Sequence, residues 1–325
     1  MKTRIPLVAV MLLAMCSQVH ASQEFRASLG GWYSFGKADW KISGPMDPAG
    51  GPEMFESALD FKNLDAPLLI LSAEWDACKF FSVDFQYGWN DVRDGNLVDR
   101  DFVLGPVFGP QRVLFSEARA RATGNTRFID GNLDFHVWES PEGGLALDLV
   151  LGYLRYEDRL HISNGLQTVS DVSIAGIPIG GMVEDPPLEI AGLNSFYNFR
   201  WQAPKLGFKS RYDIAKKLSA LGNFGFFPWI DYRGEAFWNL RPEFKSTPPN
   251  YIHKARGGTG CDIQVSLLYQ ALENLSLELG YRFFEMRSGR GKDTTFMEDG
   301  SRDVSDLNEV RMARRGPVAK AVFVF

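Results

Sequence analysis

Cysteine, histidine and long apolar runs are all scarce in this sequence, and each scarcity removes a class of protein. Three cysteines and four histidines in 325 residues offer no ligand spacing of a metal site, so neither a metal nor a cofactor is expected. Cys78, in a predicted turn, and Cys261, in a predicted strand, fall on distant parts of the chain and are not expected to pair. A formal charge of only −5 gives no reason to expect nucleic acid as a partner. The glycine-rich stretch Gly257-Gly258-Thr259-Gly260 precedes a strand and reads as a tight loop rather than a phosphate cradle. The N-terminal apolar run, Ile5 to Met15, falls short of the roughly 20 residues a membrane helix needs. Preceded by Lys2 and Arg4 and followed by Val19-His20-Ala21, it has the form of a signal peptide over residues 1–21, leaving 22–325 as one domain.

What the chain does have is alternation with a period of two. Leu275, Leu277, Leu279, Tyr281 and Phe283 alternate with Ser276, Glu278, Gly280 and Arg282; Phe81, Val83, Phe85, Tyr87 and Trp89 alternate with Ser82, Asp84, Gln86 and Gly88. A soluble sandwich would alternate too. It would not also explain an export signal, aromatics near strand ends and a terminal Phe325. In lipid, a chain without a spanning helix must close into a barrel to satisfy its own backbone. The expected fold is therefore all-β, a ten-stranded antiparallel transmembrane β-barrel in the outer membrane. Its predicted strands are 25–36, 55–76, 79–91, 126–138, 144–163, 192–214, 217–237, 256–270, 275–288 and 309–325. Short joints would lie in the periplasm, and the long connections 37–54, 92–125, 164–191, 238–255 and 289–308 outside the cell. Inward Asp84, Asp130, Asp134, Asp148, Glu278, Arg282 and Lys320 would pair and fill the narrow interior, which disfavours a general porin.

One local feature points to chemistry. Asp99 and Asp101, separated by Arg100 in the first part of the second long loop, would point the same way in an extended chain, close enough to hold a water or share a proton. Acidic pairs in loops are more often simply solvated.

The segment from Ala58 to Phe102, with Leu59-Asp60-Phe61-Lys62, Trp75-Asp76, Gly88-Trp89 and Gly95-Asn96-Leu97-Val98-Asp99-Arg100-Asp101-Phe102, resembles the omptins, a family of outer-membrane proteases. The likeness continues loosely in Leu151-Gly152-Tyr153, Gly280-Tyr281 and the aromatic end. It implies a ten-stranded barrel and a surface endopeptidase in which Asp99 and Asp101 form half of the catalytic group. The other half in that family is an Asp-x-His pair in the fourth loop, and here the matching stretch, from Ile230 to Phe244, has Glu235 and no histidine. Asp134-Phe135-His136 lies at the periplasmic end, and His253 has Tyr251 two residues before it. General-base catalysis near neutral pH needs a histidine, so proteolysis is expected to be weak or absent unless the two aspartates act as an acid-pH pair.

Three functions follow as expectations: an endopeptidase using Asp99 and Asp101, a non-catalytic surface barrel for adhesion or ligand binding, and a lipid A-modifying enzyme. The last rests on His161-Ile162-Ser163-Asn164, which is similar to the His-x-Ser-Asn motif of lipid A deacylases. The omptin resemblance also implies lipopolysaccharide as a partner, with Tyr153, Arg155, Glu157 and Arg159 in the binding region, and a peptide substrate at the extracellular cleft. Such residues also serve as ordinary interfacial anchors. The Gly- and Pro-rich third loop around 173–192 reads as a lid, a contact surface or a disordered segment.

Overall fold

In a computed structural model, residues 24–45, 55–104, 112–142, 144–170 and 187–325 are described. The predicted signal peptide and most of the third loop lie outside them. The described strands are β1 (Phe25–Gly44), β2 (Phe55–Lys62), β3 (Ala66–Cys78), β4 (Phe81–Val103), β5 (Val113–Glu139), β6 (Leu145–Ser170) and β7 (Leu188–Ala215). They continue with β8 (Leu218–Phe227), β9 (Asp231–Phe237), β10 (Tyr251–Arg256), β11 (Gly258–Leu272), β12 (Leu275–Ser288), β13 (Gly291–Phe296) and β14 (Arg302–Val324).

These form ten antiparallel staves, because four staves are interrupted: β2 with β3, β8 with β9, β10 with β11, and β12 with β13. The pairings close twice. A lower ring runs β1, β3, β4, β5, β6, β7, β8, β11, β12, β14 and back to β1. An upper ring runs β1, β2, β4, β5, β6, β7, β9, β10, β13, β14 and back to β1. Local chemistry explains the interruptions. Asn63 is left-handed at φ 53°, and Gly257 and Gly258 lie at φ 84° and 88°. Pro228 has no N–H to donate to a ladder. The freed amides are taken up across the breaks, as in Leu64 N–H to Gly36 O at 2.9 Å and Gly257 N–H to Ile230 O at 2.9 Å.

The two rings have opposite polarity. In the lower ring the apolar stripes face out: Leu149, Leu151, Leu206, Phe208, Leu267, Leu277 and Leu279 are exposed, Leu279 by 67%. Its interior holds ion pairs: Lys205 with Asp130 at 2.5 Å, Arg282 with Asp262 at 2.6 Å, and Lys209 with Asp84 at 3.1 Å and Asp134 at 2.5 Å. Water scarcely reaches these groups, since Asp130, Asp134 and Arg282 are each 3% exposed or less. In the upper ring the greasy side turns inward, where Trp40, Phe61, Leu97, Tyr197, Phe199, Trp201 and Tyr232 are buried. Aromatic rings pack across it, Phe61 on Phe199 at 5.2 Å and Trp40 on Tyr197 at 6.0 Å. The lower ring is solvated by lipid and the upper by water. β6, at 26 residues, is more than twice the roughly 9–11 needed to span a bilayer.

The ten staves match the expectation in number and order, but the loops do not match in length. Residues 37–44, 92–103, 113–125, 164–170, 291–296 and 302–308, expected as loops, are mostly strand. Above the membrane the outer wall meets water, so the greasy-outward stripe used to recognise strands is absent there. Among the interior charges, Asp84, Asp130, Asp134 and Arg282 are paired as expected, and Lys320 lies 3.6 Å from Glu278. Asp148 instead pairs with His136 at 2.7 Å near the periplasmic end. Neither Cys78 nor Cys261 is in a disulfide, and Cys78 ends β3 rather than sitting in a turn.

Candidate functional site

Asp99 and Asp101 lie on β4, not in a loop. Their rungs can be followed across the sheet: Trp40 pairs Leu59, which pairs Asp99, and Ile42 pairs Ser57, which pairs Asp101. Directly paired residues share a face. Trp40 and Leu59 are buried inward, so Asp99 and Asp101 line the interior of the upper ring, Asp101 nearer the mouth.

Both carboxyls are half-buried. Burial pushes Asp99 well above the usual carboxylate range, and the neighbouring Asp101 charge pushes it further, against the pull of Arg241 and a Ser57 hydrogen bond. Burial likewise raises Asp101, opposed by Ser57, Arg241 and Ser116. One hydroxyl therefore serves both carboxyls, and one guanidinium from the fourth connection lies within range of both. Asp99 Oδ1 is buried without a hydrogen-bond partner. Such a pair readily retains a proton.

The histidine that could act as a base is placed elsewhere. His253 is on β10, 1% exposed, with its ring against Trp40 at 4.7 Å. Its Nδ1 shares a 2.5 Å hydrogen bond with Tyr197 Oη, which is 2.8 Å from Tyr232 Oη. Its Nε2 faces Asp293 Oδ1 at 3.0 Å. A His and Asp pair thus exists in the upper ring, built from β10 and β13, but both ring nitrogens face protein groups. Glu235 does not stand in for the missing aspartate: it pairs with Arg233 at 2.7 Å, and its neighbours Gly234 and Ala236 are the ones that turn inward.

His161 and Ser163 lie on the outer wall within β6, below its upper end. The His161 Nε2 is 2.6 Å from Asn194 Oδ1, and among the described residues no hydrogen bond joins it to Ser163. Below them, one outward rung runs Arg127, Glu157, Arg200, Arg233 across β5, β6, β7 and β9. Arg155 and Arg159 flank Glu157 on β6. Glu157 accepts from Arg127 at 2.9 Å, Arg155 at 2.9 Å and Arg200 at 3.1 Å, with Arg159 at 3.4 Å. Burial alone would raise its carboxyl, but the guanidiniums of Arg155 and Arg127 outweigh this and hold it at about 2. The cluster sits directly above lipid-facing Leu149, Leu151 and Tyr153. Sequence reading found Arg155, Glu157 and Arg159 but missed Arg127, Arg200 and Arg233, which join them only through lateral register. Ser57, Arg241 and Asp293 were missed for the same reason.

A closed sheet with a greasy exterior around paired interior charges defines an outer-membrane β-barrel. More particularly, the chain belongs to the Protochlamydia outer membrane protein family (Pom), whose model matches residues 30–314. Among solved structures it is similar to the outer membrane protease OmpT from Escherichia coli, with a TM-score of 0.72 at 14% identity, over 93% of this chain and 97% of that one. This likeness shows an omptin-like fold. The translocator domain of the autotransporter NalP from Neisseria meningitidis aligns over 97% of this chain and 94% of that one, at 8% identity with a TM-score of only 0.33. No curated protein matches by sequence.

Proposed function

We propose that this chain is a lipopolysaccharide-binding surface barrel whose extracellular mouth does not carry out omptin-type proteolysis at neutral pH. The observation that carries the second half is the state of His253. A general base must reach the water it activates, and this ring is buried with Tyr197 and Asp293 at its two nitrogens. The first half is supported by five guanidiniums gathered around Glu157 and Glu235 immediately above the lipid-facing wall. Guanidiniums recognise phosphates in bidentate geometry, and Glu157 holds several of them in place.

The test is a refolded barrel with lipopolysaccharide and a dibasic peptide. No cleavage is expected at pH 7, while Arg155→Ala combined with Arg159→Ala should weaken lipopolysaccharide binding by about tenfold or more. Turnover at pH 7 that disappears in His253→Ala would overturn the proposal. A second reading is favoured by the raised Asp99 and Asp101 carboxyls and their shared Ser57: an acid-pH carboxylate pair. Under that reading the peptide is cut increasingly as pH falls below neutral, and Asp99→Asn and Asp101→Asn each abolish cleavage.

A further inference from the structure

Higher on the same wall the sheet is indented. Three successive ladders slip: between β4 and β5 at Val92/Gly95, between β5 and β6 at Arg119/Arg121, and between β6 and β7 at Ser163/Gly165. Asn164 takes up the last slip in the left-handed region at φ 54°. A bulge bends its strand and redirects side chains, and here three of them open a surface pocket of about 390 Å³ lined by Asp94, Asn96, Arg119, Arg121, Asn164 and Leu166. Gly95, Ala122 and Ile162 beside it are buried inward, so the pocket belongs to the outer wall. Its volume is within the roughly 300–1,000 Å³ of small-ligand sites.

The lining presents its polar groups to solvent with their partners already beside them. Arg121 donates to the Arg93 carbonyl at 2.9 Å and to Asp94 at 3.1 Å, and Arg119 is held by Glu117 at 3.0 Å. Each guanidinium keeps further N–H donors for a ligand. Asn96 and Asn164 add amide donors and acceptors, Asp94 an acceptor, and Leu166, 40% exposed, an apolar patch. Alternating hydroxyl donors and acceptors with one apolar C–H face are the chemistry of a sugar ring, and two arginines suit one that carries an anionic substituent.

Position narrows the source. Arg121 pairs Ser163, and Asn125 pairs Arg159, so the pocket is four residues, or about 13 Å of strand, above the guanidinium cluster on the same two staves. We infer that this pocket binds an acidic saccharide covalently continuous with the outer-leaflet lipid whose phosphates occupy the arginine cluster. The inference rests on the lipopolysaccharide reading for its lipid half.

Three probes test it on the refolded full-length barrel: lipopolysaccharide with its core sugars, lipid A without them, and the lipid-free core oligosaccharide. Wild type is expected to bind the sugar-bearing lipid at least about tenfold tighter than lipid A. Arg121→Ala combined with Asn96→Ala should erase that preference while leaving lipid A affinity unchanged, and Arg155→Ala with Arg159→Ala should weaken both lipids. Asn164→Asp, which tolerates the left-handed backbone and sets a negative charge against the anionic sugar, should repeat the first result, and heat-modifiable migration on a gel checks folding of every variant. Equal affinity of wild type for the two lipids, or an unchanged preference in the pocket variants, would overturn the inference. Should wild type bind neither lipid, the lipopolysaccharide reading fails by itself. The free oligosaccharide then decides: chemical-shift changes confined to the pocket and lost in its variants uphold the site, and their absence rejects it.

Discussion

A buried carboxyl is costly when ionised, and Asp99 is the residue where that cost has a direction in pH. Its folded pKa lies above the usual carboxylate value of about 4, because of burial and then Asp101. Its contribution to stability is therefore fully present below the unfolded pKa and is lost as pH rises through the folded one. Asp99→Asn should raise the unfolding temperature at pH 7, and the gain should vanish near pH 4; an equal gain at both pH values would contradict the assigned shift. Lys205 makes the opposite case. With Lys205→Ala, Asp130 loses its 2.5 Å partner in a site 2% exposed, and a loss of roughly 3–5 kcal/mol is expected in urea unfolding. At this scale the sequence was only half informative. Asp99, Asp101 and the stretch from Arg155 to Arg159 stood out because each is local. Arg127, Arg200, Ser57 and Asp293 are ordinary residues until register sets them beside those groups.

Among the elements, the interruptions at Asn63, Pro228, Gly257 and Gly289 divide four staves into a segment in the membrane ring and a segment in the ring above it. Gly258 shows how tightly this is built. It lies at φ 88°, and a Cβ there would approach the Arg287 carbonyl oxygen to 2.1 Å. Gly258→Ala must bear the roughly 1–2 kcal/mol of a left-handed L-residue plus that clash. The expected outcome is a lower refolding yield and unfolding temperature, with lipid-facing residues undisturbed by tryptophan fluorescence. Sequence located the staves in the membrane closely: β12 starts at Leu275 as expected, and β4 starts at Phe81, two residues past the expected 79. It lost them above the membrane, in β4, β5 and β14, because there the stripe changes sides: Leu97 and Ala122 point in, and Arg119 and Arg121 point out.

For the whole molecule, two solvents act on one sheet. Leu279→Arg would place a charge in lipid, at a cost of roughly 2–4 kcal/mol at the bilayer midplane, whereas Phe61→Ala would leave a cavity in the aromatic interior of the upper ring, costing about 3–5 kcal/mol. Folding into vesicles measured by urea titration should show both losses. Transfer to a detergent micelle should relieve the first more than the second, since only Leu279 meets the lipid. The sequence by itself determined the strand number, the outer-membrane setting and the presence of an acidic pair, because alternation and strand length report which side of a sheet meets lipid. Only the tertiary structure decided that His253 is sealed against Trp40 and Asp293, that Arg127, Arg200 and Arg233 join Arg155, Glu157 and Arg159 in one cluster on the wall, and that three bulges align into a pocket. Those outcomes depend on how closed strands are staggered against one another, and stagger is a property of the ring, which no single strand carries.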